Sequence, residues 1–96
     1  MKFMLTWQLH EGKIQEAYDA FSKMTPAQDA ADRGKAIKLI GRWHDIASGR
    51  GVVICETDSA EALANWSLNW SDVLTTEAVP VVDDNEARAL YKTRAK

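Results

Sequence analysis

The side chains with chemistry to offer cluster around one short run, Gly41-Arg42-Trp43-His44-Asp45. An imidazole titrates near neutral pH, so His44 is the one candidate for a general acid or base. Arg42 carries a planar guanidinium suited to the carboxylate of an acidic ligand. The plainer role for Arg42 is an ion pair with Glu77 or with an acid on a partner chain. Trp43 and Trp70 suit the wall of a pocket or the seam between subunits, since aromatic rings are frequent in both. Trp7 and Trp66 read as core, each ring bringing ~150–250 Å2 of burial. Thr6 and Gln8 add neutral hydrogen-bonding groups. The candidate ligand-binding set is therefore Thr6, Gln8, Arg42, Trp43, His44 and Trp70, with His44 the catalytic candidate.

Other chemistry finds no support. There is no His-x-x-x-His or paired-cysteine spacing, so no metal is expected. Cys55 stands in the most apolar stretch, Val52 to Glu56, and reads as a small buried hydrophobe rather than a reactive thiol. Being the only cysteine, it cannot form an internal disulfide. His10 closes a strand and is expected to be exposed. Gly49-Arg50-Gly51 lacks the strand-to-helix context of a phosphate loop, and no Gly-x-Ser-x-Gly elbow exists. No cofactor is implied.

Charge and length narrow the partners. The net charge of -2 argues against nucleic acid, which needs clustered Lys and Arg. The run Val52 to Glu56 has no aromatic on which a base could stack, which argues against RNA. No apolar run approaches the ~18 residues of a membrane span, and the amino terminus lacks a signal-peptide pattern, so a cytosolic location is expected. The 96 residues make one domain, 1–96, whose small core leaves a thin stability margin that self-association commonly widens.

The elements that must position these residues follow from periodicity. Lys2 to His10 alternates, with Phe3, Leu5, Trp7 and Leu9 toward a layer of helices and Met4, Thr6, Gln8 and His10 the other way. Gly12 breaks this strand. A helix then runs to about Met24, with Ile14, Ala17, Tyr18, Phe21 and Met24 on one stripe. Thr25 as N-cap, Pro26 at the first helical position and Gln28 in capping-box position restart a short helix that ends at Gly34. Its middle is polar or small, and a surface place is expected.

A hairpin comes next: Ala36 to His44, a turn from Asp45 to Gly51, then Val52 to Glu56. Strict alternation puts Ile37, Leu39 and Trp43 on one face and Lys38, Ile40, Arg42 and His44 on the other. Gly41 marks either a bulge or room for a neighbouring ring. Asp58 is the expected N-cap of the next helix, with Glu61 behind it and Leu63, Trp66 and Trp70 on its apolar side. A last strand spans about Leu74 to Val82, with Pro80 at an edge or strand end. Asp83 and Glu86 start a final helix with a thin apolar side of Ala87, Leu90 and Tyr91. Lys92, Arg94 and Lys96 favour its carboxyl end.

The order βαββαβ with an extra carboxyl-terminal helix is the ferredoxin-like arrangement, an α+β fold with a four-stranded antiparallel sheet. Its two main helices cover one face of the sheet. The other face, with Met4, Thr6, Ile40 and Val53 or Ile54, is left apolar and uncovered, which costs ~25 cal/mol per Å2. A symmetric homodimer closing sheet onto sheet is the simplest cover.

Lys2-Phe3-Met4-Leu5-Thr6-Trp7, Gly41-Arg42-Trp43-His44-Asp45, Asn69-Trp70 and Pro80-Val81-Val82-Asp83-Asp84 together resemble a small bacterial family of uncharacterised domains, over nearly the whole chain. That family is similar to the dimeric α+β barrels. The superfamily holds cofactor-free monooxygenases, muconolactone isomerase-like enzymes, haem-degrading enzymes and stress-responsive proteins. The resemblance implies the fold and a dimer, and leaves activity open. The expected function is a cytosolic homodimer binding a small, partly apolar or acidic molecule in an interior cavity. The alternatives are a non-enzymatic stress-associated or scaffold dimer whose sheet face serves only self-association, and an enzyme of the cofactor-free oxygenase or isomerase type with His44 as base and Arg42 as anion holder.

Overall fold

Strict apolar alternation makes the first strand, β1 (Lys2–Leu9), the spine of the sheet in the computed structural model, which describes residues 1–94. Lys96 lies outside them. β1 pairs antiparallel with β3 (Arg50–Glu56) on one side and β4 (Leu74–Val81) on the other, and β2 (Lys38–Asp45) pairs with β3. The strand order β2-β3-β1-β4 is that of the ferredoxin-like fold. Pro80, which cannot donate to a ladder, falls in the edge strand β4 as expected.

Helices α1 (Ile14–Ser22) and α3 (Ala60–Asn69) pack on the face that carries Leu5 and Leu9. Leu5, Ile37, Val53, Cys55, Leu63 and Trp66 form the main core, with Cys55 fully enclosed. Leu9, Ala17 and Val73 form a second cluster beneath α1. Helix α2 (Pro26–Arg33) begins as its residues dictate. The Thr25 hydroxyl accepts from the Gln28 amide, and the Gln28 side chain accepts from the Thr25 amide, a full capping box. Asp83 and Glu86 make the same reciprocal pair at the start of α4 (Asp84–Arg94).

Several expectations are corrected. Helix α1 is shorter than the run from Gly12 to Met24 and has no side-chain cap at Lys13. The cap of α3 is Ser59, whose hydroxyl accepts from the Ala62 amide, and Asp58 stands one residue too early. Helix α2 is not a bystander on the surface, because Asp29, Asp32 and Arg33 turn inward.

The largest correction concerns β2. Leu39 pairs with Cys55, and Gly41 pairs with Ile54, the residue before Cys55. β2 therefore spends two residues where β3 spends one, and Ile40 is the extra one. A single inserted residue reverses every later side chain. Past the bulge, Arg42 sits opposite Val53 and His44 opposite Gly51, in the rows that contain Leu5 and Trp7. Arg42 and His44 thus join Leu39 on the helix-covered face, where strict alternation had placed them opposite it. Trp43 moves to the open face beside Val52 and Thr6. Gly41 serves both suggested purposes, since it follows the bulge and the Trp43 ring lies where a Cβ would stand.

On the open face Ile54 takes the place left undecided between it and Val53. Ile40, Trp43 and Val79 are exposed there, and so are Leu90 and Tyr91 on α4, a helix with little contact to the rest of the chain. The long axis of 53 Å against 28 and 20 Å shows how elongated the single chain is.

Candidate functional site

Between the covered face of the sheet and helices α1, α2 and α3 lies a cavity of about 90 Å3. At ~10–15 Å3 for each water, that is space for several waters, and, since the cavity is open on one side, for part of a ring entering from the mouth. Its floor comes from the strands, with Leu5, Trp7 and Leu9 of β1, Arg42 and His44 of β2, Val53 of β3, and Leu74 and Thr76 of β4. Its roof comes from Ala17, Tyr18 and Phe21 of α1, Asp29 and Asp32 of α2, and Trp66 and Ser67 of α3, with Trp70 following.

Glycine opens one part of the floor. Gly51 lies between Trp7 and His44 across the sheet, and the Trp7 indole covers it where a Cβ would stand. The indole therefore lies flat along the sheet and meets His44 edge-on, with centroids 5.3 Å apart. Phe21 and Tyr18 close on the same imidazole at 5.2 and 5.6 Å. Tyr18 Oη and His44 Nδ1 are 2.9 Å apart, a hydrogen bond whose donor depends on the imidazole tautomer. His44 stands at the mouth, exposed on one side and ringed on the other. Removal from water among these rings, and the charge of Arg42, hold its pKa below the ordinary 6.5. Partial burial and the Asp45 carboxylate hold Tyr18 above the ordinary 10.0. Both groups are therefore neutral near pH 7.

The charged rim is internally paired. Arg42 makes a two-pronged bond to Asp29, Nη1 to Oδ1 at 3.2 Å and Nη2 to Oδ2 at 2.8 Å. Arg33 Nη1 donates to the same carboxylate at 3.3 Å. The guanidinium of Arg42 also stacks over Phe21 at 4.8 Å. The Arg42 bonds hold Asp29 below the ordinary carboxylate value of 3.8, although burial acts the other way. The ion-pair partner of Arg42 is thus Asp29, and not Glu77, which lies on the open face beside Thr6.

Asp32 organises the opposite wall. Its Oδ2 accepts from the indole Nε1 of Trp70 at 2.7 Å and of Trp66 at 3.2 Å, and its Oδ1 accepts from Asn69 Nδ2 at 3.1 Å. One carboxylate therefore fixes two tryptophans and the end of α3 to α2.

Of the residues singled out by sequence, Arg42, His44 and Trp70 meet in this cavity. Thr6 and Trp43 lie on the other side of the sheet, and Gln8 donates to carbonyls of the β2–β3 turn. His10 is exposed and pairs with Thr75. Sequence reasoning missed Tyr18, Asp29 and Asp32. The signals were present: Tyr18 sat on the α1 stripe, and Asp29 with Asp32 has the spacing of neighbours on a helix face. Among the described residues no cluster of three metal-ligating side chains occurs, and no helix is long and apolar enough to cross a membrane.

A four-stranded antiparallel sheet in this order, with helices on one face over a cavity, defines a ferredoxin-like α+β domain. Residues 1–95 match the family described as "Domain of unknown function (DUF3303)", and the chain belongs to that family. No curated protein matches it. Among solved structures it is similar in fold to L-rhamnose mutarotase from Formosa agariphila, with a TM-score of 0.50, 10% sequence identity, and coverage of 86% of this chain and 94% of that one. At that identity the likeness concerns the fold alone.

Proposed function

We propose that this protein is a homodimer that holds a small, uncharged, largely apolar molecule in the cavity between its sheet and helices. The observation that carries this reading is the pairing of the rim. Arg42 is engaged by Asp29 with both terminal nitrogens, and Asp32 is capped by two indoles. A cavity walled by Trp7, Trp66, Trp70, Tyr18 and Phe21 then offers rings and neutral polar groups, and no free charge to receive an acid. This narrows the acidic ligand expected from Arg42 to a neutral one.

The dimer is supported by surface that one chain leaves in water. Ile40, Trp43 and Val79 on the open sheet face, with Leu90 and Tyr91 on α4, are 43 to 72% exposed. Contiguous apolar surface of this kind marks interfaces. The 11-residue α4 is also below the length at which a helix is stable without packing, roughly 12–15 residues. A second copy supplies cover for both.

Native mass spectrometry of protein purified from cells tests the two halves together. The expected spectrum is a dimer carrying a small adduct that is lost on gentle activation. A single chain would remove the dimer. A ligand-free dimer whose cavity takes up no member of a neutral ring-compound library would leave the scaffold alternative, in which the sheet serves self-association alone.

A further inference from the structure

The imidazole of His44 is committed on one side only. Nδ1 meets Tyr18 Oη, while Nε2 has no protein partner among the described residues and the ring stands at the cavity mouth. Around it, the cavity presents flat rings, and its arginine is already paired with Asp29. A neutral imidazole so placed can take a proton from a ligand hydroxyl, provided the new positive charge is met from behind. Tyr18 is placed for that, because its oxygen accepts the Nδ1 hydrogen of the imidazolium. The imidazolium itself is the counter-charge of the oxygen that remains, because both terminal nitrogens of Arg42 are held by Asp29.

We propose that His44 and Tyr18 form a proton-accepting site for a ring compound bearing an ionisable hydroxyl, a phenol or an enol, bound in this cavity. This rests on the cavity being a ligand site. In the step, the ligand O–H bond breaks, its proton passes to His44 Nε2, and the electron pair stays on the ligand oxygen. The Nδ1 hydrogen is then held by Tyr18 Oη. No further reactant is needed. His44 is the group that touches the ligand, and Tyr18 is a positioning residue.

The test compares 4-nitrophenol with nitrobenzene, which has the same ring and lacks the hydroxyl, in a buffer where free 4-nitrophenol is mostly protonated. The native protein is expected to bind 4-nitrophenol roughly tenfold tighter, the worth of one good hydrogen bond. The spectrum of the bound probe should move toward phenolate. In His44→Ala and in Tyr18→Phe the preference and the spectral change should be lost or reduced while nitrobenzene still binds, and His10→Ala should behave as native protein. Equal or weaker binding of 4-nitrophenol, or a preference that survives both variants, overturns the proton-accepting site and leaves the cavity reading standing. Failure of the native protein to bind either compound overturns both.

Discussion

Tyr18 Oη lies 2.9 Å from His44 Nδ1, although 26 residues separate them in sequence. The contact exists because the bulge at Ile40 turns His44 beneath α1. Without the extra residue the imidazole would point to the open face. The bulge therefore decides whether the cavity has an imidazole.

That group makes stability depend on pH. His44 is faced by Tyr18 and Phe21 from α1, Trp7 from β1 and the Arg42 charge from its own strand. Its folded pKa is below 6.5, so below that value the unfolded chain binds the proton more readily and stability falls as pH drops. Denaturant melts between pH 7 and 5 should show this fall, and His44→Gln should flatten it. A native protein with the same midpoint across that range would contradict the assigned environment.

Asp29 holds two arginines, so Asp29→Ala leaves both guanidinium groups short of a partner in a half-buried place. A loss of about 1–3 kcal/mol in urea unfolding is expected. Asp29→Asn should recover part of it by keeping the acceptor oxygen.

Asp32→Ala removes the shared acceptor of Trp66 and Trp70. A loss of about 1–3 kcal/mol is expected, with a change in tryptophan emission as the two indoles lose their common anchor. Unchanged emission would mean that the carboxylate does not fix them.

Gly51→Ala places a methyl where the Trp7 ring lies. Overpacking of this kind costs about 1–3 kcal/mol. The same change should also weaken ligand binding, because the displaced indole enters the cavity floor. Equal stability and equal binding would show that the ring has room to move.

Trp43→Lys tests the open face. The side chain is 59% exposed in one chain, so its loss costs the monomer little. In a sheet-to-sheet dimer it plants a charge at the seam, and sedimentation should show the variant dissociating at concentrations where the native protein does not. A native protein that is already a single chain would contradict the proposed dimer.

Much of the architecture was legible in the sequence for physical reasons. Thr25-Pro26-Ala27-Gln28 can satisfy the free amides of a helix start in one way, and the structure uses it. The alternation of β1 fixed which face would be buried, and Leu5 and Leu9 are buried there. The site was only half legible. Alternation assumes one residue for one residue across a ladder, and the bulge at Ile40 breaks that count without a marker beyond Gly41. The same miscount grouped Arg42 and His44 with Thr6 and Gln8. Asp29 and Asp32 escaped notice because a polar helix reads as solvated, and the partners that draw them inward, Arg42 and Trp70, are 13 and 38 residues away.

The most direct test uses the four tryptophans as reporters in an 15N-labelled sample titrated with a neutral ring compound such as nitrobenzene. Trp7, Trp66 and Trp70 line the cavity, while Trp43 lies on the other side of the sheet. The indole N–H signals of the first three should shift on saturation and that of Trp43 should stay in place. Movement of Trp43 alone, or no movement of any indole, would contradict a ligand site beneath the helices.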